Sequence, residues 1–289
     1  MKLEEFYEKN YKKILIIPYI LLIIALVFLS INYVNTGEVI ERDITLKGGT
    51  SITIYKEGIN FKEIESYLKE NFDDVSVRGL TDFYSRKNIG IMVEFSDTNE
   101  KVIKNALKEK IDFNEEDYSS ETTGSKFGEG FYKGLMITIL FAFLFMAIVV
   151  FVTFRTLVPS LAVISAALVD LIVTLAIISG LGFKLTSAGI VAFLLVIGYS
   201  IDTDILLTTR LLKRKEGSLY ERLKSSIKTG LTMTVTTLVA LSVGALFSTS
   251  FVLKQMFTII VIALVIDIIA TYLANAPILI WYCKKKNIY

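Results

Sequence analysis

The sequence predicts a polytopic α-helical membrane protein. Six transmembrane helices are expected, with an α+β, ferredoxin-like domain inserted between the first and the second. Three observations carry this reading. Of 289 residues, 53% are hydrophobic and the mean hydropathy is +0.57, too apolar for an ordinary soluble domain. The apolar residues are gathered in six long runs, and a bilayer core about 30 Å thick needs about 20 such residues in a helix. The stretch between the first two runs is polar, holding 20 acidic against 13 basic residues from Asn35 to Phe131.

The six predicted spans run over Ile14–Val34, Lys133–Phe154, Leu157–Gly180, Lys184–Thr209, Thr229–Phe247 and Met256–Cys283. Lys9, Lys12 and Lys13 before the first run imitate a signal peptide. The run is too long for an h-region, and "SINYVNTGEV" offers no small-residue cleavage site, so it reads as an anchor. Basic residues set the orientation. With both termini cytoplasmic, the inner segments hold Lys9 to Lys13, Arg155, the cluster Arg210 to Lys228, and Lys284 to Lys286. The outer turns then hold little beyond Lys133, Lys184 and Lys254. The expected organisation is an N-terminus and first helix over 1–34, an extracytoplasmic domain over 35–131, and helices two to six over 132–289. The net charge of +2 hides a segment near −7 and a remainder near +9. Topology and anionic lipid of a cell membrane account for the basic part, and no nucleic acid is implied.

In the inserted domain, "EVIERDITLKGG" and "TSITIYK" alternate like strands around a Gly48-Gly49 turn. "NFKEIESYLKENF" sets Phe61, Ile64, Tyr67, Leu68 and Phe72 at helical spacing. "DVSVRGL" and "IGIMVEF" read as strands. "TNEKVIKNALKEKI" is a second amphipathic helix, capped by Thr98 or Asn99. "DYSSETTG" is a last extended piece. Without the first strand this order is a split βαβ arrangement. No nucleophile–base pair, phosphate loop or ligand cluster appears, so a binding or lever module is expected rather than an enzyme, with no cofactor and no metal; a small solvated domain with an ordinary acidic surface is the equally open plainer reading. One cysteine, Cys283, precludes an internal disulfide, and the absence of histidine leaves any proton relay to carboxylates.

The spans contain four acids: Asp170, Asp202, Asp204 and Asp267. A carboxylate at the centre of a span costs roughly 2.5–3.5 kcal/mol on insertion scales, so such groups usually face a bundle interior or a water path. Removal from water disfavours the charged form, which makes an intramembrane acid a candidate for proton exchange. Asp202 and Asp204 stand about 200° apart on a helix and cannot share a groove. Asp204 shares a polar stripe with Ser200 and Thr208, whereas Asp202 lies with Gly198, Tyr199 and Thr209. Thr229, Thr232 and Thr236 are read as a second polar stripe, on the fifth span. Structural roles stand beside these. Asp202 or Asp204 can salt-bridge Arg210 or Arg214, and Asp170 can hold a neighbouring helix. For Asp267 a proton path and a structural bond are equally open.

Several segments carry a family resemblance. "LKGGT" (Leu46–Thr50), "TTGSKFGEGF" (Thr122–Phe131), "VDLIVTLAI" (Val169–Ile177), "IGYSIDTDILLTTRL" (Ile197–Leu211) and "ANAPILIW" (Ala274–Trp281) resemble the SecF proteins of the SecD/SecF protein-export family, in order and over nearly the whole chain. The resemblance implies a six-helix module of the RND transporter type and an outer domain that moves. It further implies work with SecD beside the Sec translocon channel, drawing a translocating polypeptide outward at the expense of the proton gradient. Family acids map onto Asp170 and the Asp202–Asp204 neighbourhood, where the family's own position falls on Thr203. The family's cation near the start of the fifth span is matched most nearly by Lys228, which is expected to pair with Asp202 or Asp204. Proton and sodium both remain open as coupling ion. Two rival readings are half of an RND-type small-molecule or ion transporter, and a structural or sensing subunit.

Overall fold

The structure, a computed structural model, describes residues 3–72, 75–81, 88–96, 98–214, 216–248 and 250–287. Helices α1 (Leu3–Ile14) and α2 (Ile16–Thr36) run on with one break at Leu15. Gly37, at φ 75°, closes α2 by donating its N–H to the Tyr33 carbonyl at 2.8 Å. Here the expected first strand is replaced. Asp43 accepts a hydrogen bond from the Ile44 N–H at 2.7 Å and starts a helical turn, α3 (Ile44–Lys47), which Gly48 ends at φ 83°. An N-cap acid followed by a left-handed glycine outweighs the alternation of apolar residues in this short piece.

Strands β1 (Gly49–Ile54), β2 (Val75–Thr81), β3 (Asn88–Phe95) and β4 (Tyr118–Thr123) form one antiparallel sheet, ordered β2-β3-β1-β4. Asp74, the expected first residue of the second of these strands, lies outside the described residues. Helices α4 (Phe61–Asn71) and α5 (Glu100–Lys110) connect them, and the result is the ferredoxin-like arrangement. The Asn99 side chain caps α5 by accepting from the Lys101 N–H at 3.0 Å. Ile52, Ile54, Val77, Val93 and Phe95 of the sheet pack on Ile64, Leu68, Ile103 and Leu107 of the two helices. Each such fully buried side chain contributes about 1.5–3 kcal/mol.

Helices α6 (Ser125–Phe154), α7 (Leu157–Gly180), α8 (Ser187–Lys213), α9 (Leu219–Phe247) and α10 (Phe251–Ala270) follow. α10 passes through a π turn, Thr271–Asn275, into α11 (Ala276–Lys285), and this composite helix is the sixth span. All six spans are long and apolar enough to cross a membrane. α9 begins ten residues before the predicted Thr229, because Ser218 and Glu221 form a capping box. The buried Arg222 then ties that start to α8 by donating to the carbonyls of Leu211 (3.0 Å) and Arg214 (2.6 Å). Hydropathy sees only the apolar part of such a helix. α10 packs against α7, α8 and α9, and α2 packs on α7. α6 and α9 show most of their surface outward.

The sheet domain is fastened to the helices through residues 41–49. Leu185, between α7 and α8, donates its N–H to the Glu41 carbonyl at 2.6 Å and accepts from the Asp43 N–H at 2.9 Å. Leu46 is buried with Ile178, Leu185 and Ile190. A Cβ on Gly49 would stand 2.6 Å from the Phe95 carbonyl oxygen, so the glycine is required where this joint meets the sheet. Beneath the sheet, Arg78 reaches Glu94 at 3.2 Å and Asp43 at 3.6 Å. Burial, and then the nearby Asp43 carboxylate, push the Glu94 carboxyl up to about 7, against the opposing pull of Arg78 and Lys184.

Candidate functional site

Three of the four intramembrane acids converge. Asp170 of α7, Asp204 of α8 and Asp267 of α10 are 1%, 0% and 1% exposed, and the first two each lie within electrostatic reach of Asp267. The local sequence explains their placement. Asp204 lies one turn beyond Ser200 and one before Thr208, and all three are buried on the face of α8 turned to the bundle. Asp267, Thr271 and Asn275 are spaced by four, which puts them on one side of the sixth span. Thr174 stands one turn beyond Asp170 and is fully buried.

Neutral groups supply the donors to the acids, and the Asp170 and Asp267 carboxyls lie within hydrogen-bonding reach of each other. The Ser200 hydroxyl donates to Asp170 Oδ2. The Asn275 amide donates to Asp204 Oδ1 at 2.7 Å, and the Thr271 hydroxyl to Asp267 Oδ1 at 3.3 Å. Among the described residues no lysine or arginine pairs with any of the three. The other oxygen of each carboxylate has no hydrogen-bond partner among the described residues, and neither do the Asn275 carbonyl oxygen, the Tyr272 hydroxyl or the hydroxyls of Thr174, Thr208 and Ser226. Around three acids there is thus unused hydrogen-bonding capacity, in a place where an unmade bond costs about 1–3 kcal/mol. Such a site can accept, hand over or release protons by local changes of hydrogen-bond partner.

The π turn shapes this centre. A π turn adds a residue to the helix and is frequent at functional sites, and Pro277, two residues past it, cannot donate to the preceding turn. The altered register brings both Tyr272 and Asn275 into the interior. The Tyr7 hydroxyl of α1 donates to the Tyr272 carbonyl at 2.9 Å, so the N-terminal helix is pinned to the turn. Gly230 of α9 lies so close that a Cβ there would strike the Tyr272 hydroxyl and come within 3.3 Å of the Thr203 methyl.

Other candidates fall outside the cluster. Asp202 is exposed, about 200° from Asp204. The expected partner cation, Lys228, is exposed as well. The buried stripe of α9 is Arg222, Ser226, Gly230 and Thr234, and Lys228 lies about 200° from Ser226. Thr232 and Thr236 are likewise exposed, and their hydroxyls bond the Lys228 and Thr232 carbonyls of their own helix at 2.8 and 2.6 Å. Thr229 accepts at 2.9 Å from Arg210, which also donates to the Ser225 carbonyl and hydroxyl, so this arginine clips α8 to α9 instead of meeting an aspartate. Arg214 faces Glu216 at 3.6 Å. Thr203 is buried, 3.5 Å from the Tyr199 carbonyl to which it donates. Asn275, Thr271, Tyr272 and Tyr7 are the site residues that the reading of single runs missed. The four-residue spacing from Asp267 was the available signal for two of them.

Residues 102–285 match the protein family described as "Protein export membrane protein SecD/SecF, C-terminal". A "Protein-export membrane protein SecF" from Pyrococcus furiosus is 37% identical over 288 residues, covering 99% of this chain and 96% of that protein. The protein so named from Methanocaldococcus jannaschii is 37% identical over 286 residues, 96% of this chain and 97% of that one. Among solved structures, SecDF from Thermus, titled a translocon-associated membrane protein, superposes with a TM-score of 0.71 at 18% identity. That match covers 96% of this chain and 38% of the longer SecDF chain. A SecDF in a "Super-membrane-facing form" gives a TM-score of 0.56 at 19% identity, over 94% of this chain and 38% of that one. These two show a shared fold.

Proposed function

The chain belongs to the SecD/SecF family of protein-export membrane proteins, and we propose that it acts as a SecF subunit beside a SecD partner and the Sec translocon channel. Its sheet domain faces outward from a cell membrane and both termini face the cytoplasm, a reading that the distribution of lysine and arginine supports. It promotes outward movement of a translocating polypeptide and performs no covalent chemistry. The observation that carries the energetic part is the meeting of Asp170, Asp204 and Asp267 at a π turn, with neutral partners and unused oxygens. Proton entry at this cluster exchanges the bonds from Ser200, Thr271 and Asn275 and shifts α8 and the sixth span between two packings.

Energetics limit how this works. A proton biases two states only through a difference in affinity between them, and one pKa unit of difference supplies about 1.4 kcal/mol. Three interacting acids supply more than one, and the membrane potential adds about 2.3 kcal/mol per charge per 100 mV. The test is export of a secreted reporter from vesicles with an imposed gradient, with SecD co-expressed. Asp170→Asn, Asp204→Asn and Asp267→Asn are expected to abolish the response to a pH gradient while insertion and SecD binding persist. Asp202→Asn and Lys228→Ala, which alter exposed groups, leave it intact. A response to a sodium gradient instead assigns the coupling ion to sodium, and undiminished export in all three cluster variants defeats the proposal.

A further inference from the structure

On the side of the bundle that holds both termini, a groove of about 360 Å³ opens between the α1–α2 junction and α11. Tyr11, Lys12, Leu15, Pro277, Ile278 and Trp281 line it. It exists because two helices are interrupted at the same height. α1 and α2 break at Leu15, and the π turn, with Pro277 just beyond it, leads into α11. The buried Pro277 ring forms part of its wall, and Trp281 is 40% exposed at its edge.

Lysines ring the mouth. Lys285 Nζ is 5.1 Å from the centre of the Trp281 ring and Lys12 Nζ is 6.0 Å from that of Tyr11, while Lys284 Nζ lies between Tyr11 (5.3 Å) and Tyr220 (5.7 Å), turned away from the groove toward α9. Lys12 and Lys285 are exposed, and Glu8 lies within electrostatic reach of Lys284. An apolar slot, amphipathic aromatic rings and ammonium groups therefore follow one another along a short path at the end of the spans. Aromatic rings of this kind favour the membrane–water interface, and basic pockets between helix ends suit acidic headgroups. A partner helix in the slot would have to bring its own acid to Lys12 and Lys285. A lipid supplies the apolar chain and the negative phosphate in one molecule.

We propose that this groove is a binding site for an anionic phospholipid, with an acyl chain along Leu15, Pro277 and Ile278 and the phosphate between Lys12 and Lys285. Occupied, the site braces α1 against α11, and through the bond from Tyr7 to the Tyr272 carbonyl it steadies the π turn of the carboxylate cluster.

Trp281 is the chain's one tryptophan, which makes it a specific reporter. The protein is placed in vesicles of phosphatidylcholine with a minor fraction of phosphatidylglycerol, and bromine is carried on the chains of one lipid or the other. Brominated phosphatidylglycerol is expected to quench Trp281 well beyond its mole fraction, with an association preference of about fivefold for each lysine engaged. Lys12→Gln with Lys285→Gln brings the preference toward one, and Lys12→Arg with Lys285→Arg retains it. Equal quenching by the two lipids in the unaltered protein overturns the proposal. So does a preference that survives the double glutamine change. Quenching by neither lipid means that protein covers the groove, which also overturns it.

Discussion

Glu94 makes the sheet domain a test of how burial and charge set stability. The residue is 6% exposed, and its carboxyl faces Arg78 and Asp43 and feels Lys184 from the turn between α7 and α8. Removal from water, with Asp43 adding to it, lifts its titration from 4.5 to about 7. The interval of about two and a half units corresponds to ~3 kcal/mol. The sign follows from which state holds the proton. The folded domain binds it more tightly than the opened one, so this stabilisation is complete below about pH 4.5, declines between there and pH 7, and is absent above. In the proposed orientation the group faces the compartment from which protons enter.

Hydrogen exchange on the intact protein in detergent reads this directly, once the intrinsic pH dependence of amide exchange is divided out. Amides of β2 and β3, which pair around Ser76 and Glu94, are expected to lose protection on the order of a hundredfold from pH 5 to pH 8. Glu94→Gln removes the ionisation. It is expected to flatten that profile and to leave the strands better protected than in the unaltered protein at pH 8. Peptides from α11, which packs beside α1 at the end of the bundle away from the sheet domain, serve as the internal reference. Identical profiles for the unaltered protein and Glu94→Gln would refute the assignment of the pH dependence to this carboxyl.

Two further outcomes test the packing of the carboxylate cluster. Gly230→Ala forces a methyl group against the Tyr272 hydroxyl, with an expected cost of about 1–3 kcal/mol from overpacking; thermal melts should show the loss, and Tyr272→Phe in the same chain should recover part of it. Asn275→Ala leaves Asp204 Oδ1 without its 2.7 Å donor, which is expected to cost about 1–3 kcal/mol and to weaken the export response to a pH gradient, whereas a melt and a response both unchanged would show the bond to be dispensable.

How much of this was legible depends on the range over which each feature is encoded. Six spans follow from local composition, and the inward direction of Asp204 follows from polar neighbours at four-residue spacing. The same argument misled for Thr232 and Thr236, because a threonine can satisfy its hydroxyl on its own helix and so gives a weak signal of which face is buried. Lys228 was singled out by family resemblance, while the burial of Arg222, Ser226 and Gly230 fixes the rotation of α9. In "IGIMVEF", alternation sends Ile91, Val93 and Phe95 to the core and Glu94 to the other face. That face reads as solvated. It is buried because residues 41–49 and the turn at Leu185 meet there, a long-range event with no local sign. The π turn was equally hidden. Asp267, Thr271 and Asn275 announce a stripe, but the extra residue in the helix depends on how Pro277, Gly230 and Tyr7 pack around it.

The two regions that sequence reading could not join are joined by α8. Ser187 opens this helix two residues after Leu185, whose backbone holds Glu41 and Asp43. Asp204 lies 17 residues further on, about 26 Å along a rise of 1.5 Å per residue. When one packed face of such a helix changes partner, the helix is expected to move between discrete packings, since interiors are dense and do not deform smoothly. A shift of α8 as one body at Asp204 would reach the turn at Leu185. From Leu185 it passes through two backbone hydrogen bonds to the cap of α3, and Asp43 carries it to Arg78 and Glu94. The inner end of the helix is constrained as well, by Arg210 on Ser225 and Thr229. Motion of α8 then has to carry α9 with it or break that clip, and this favours a concerted shift of α8 and α9 over independent movement of either.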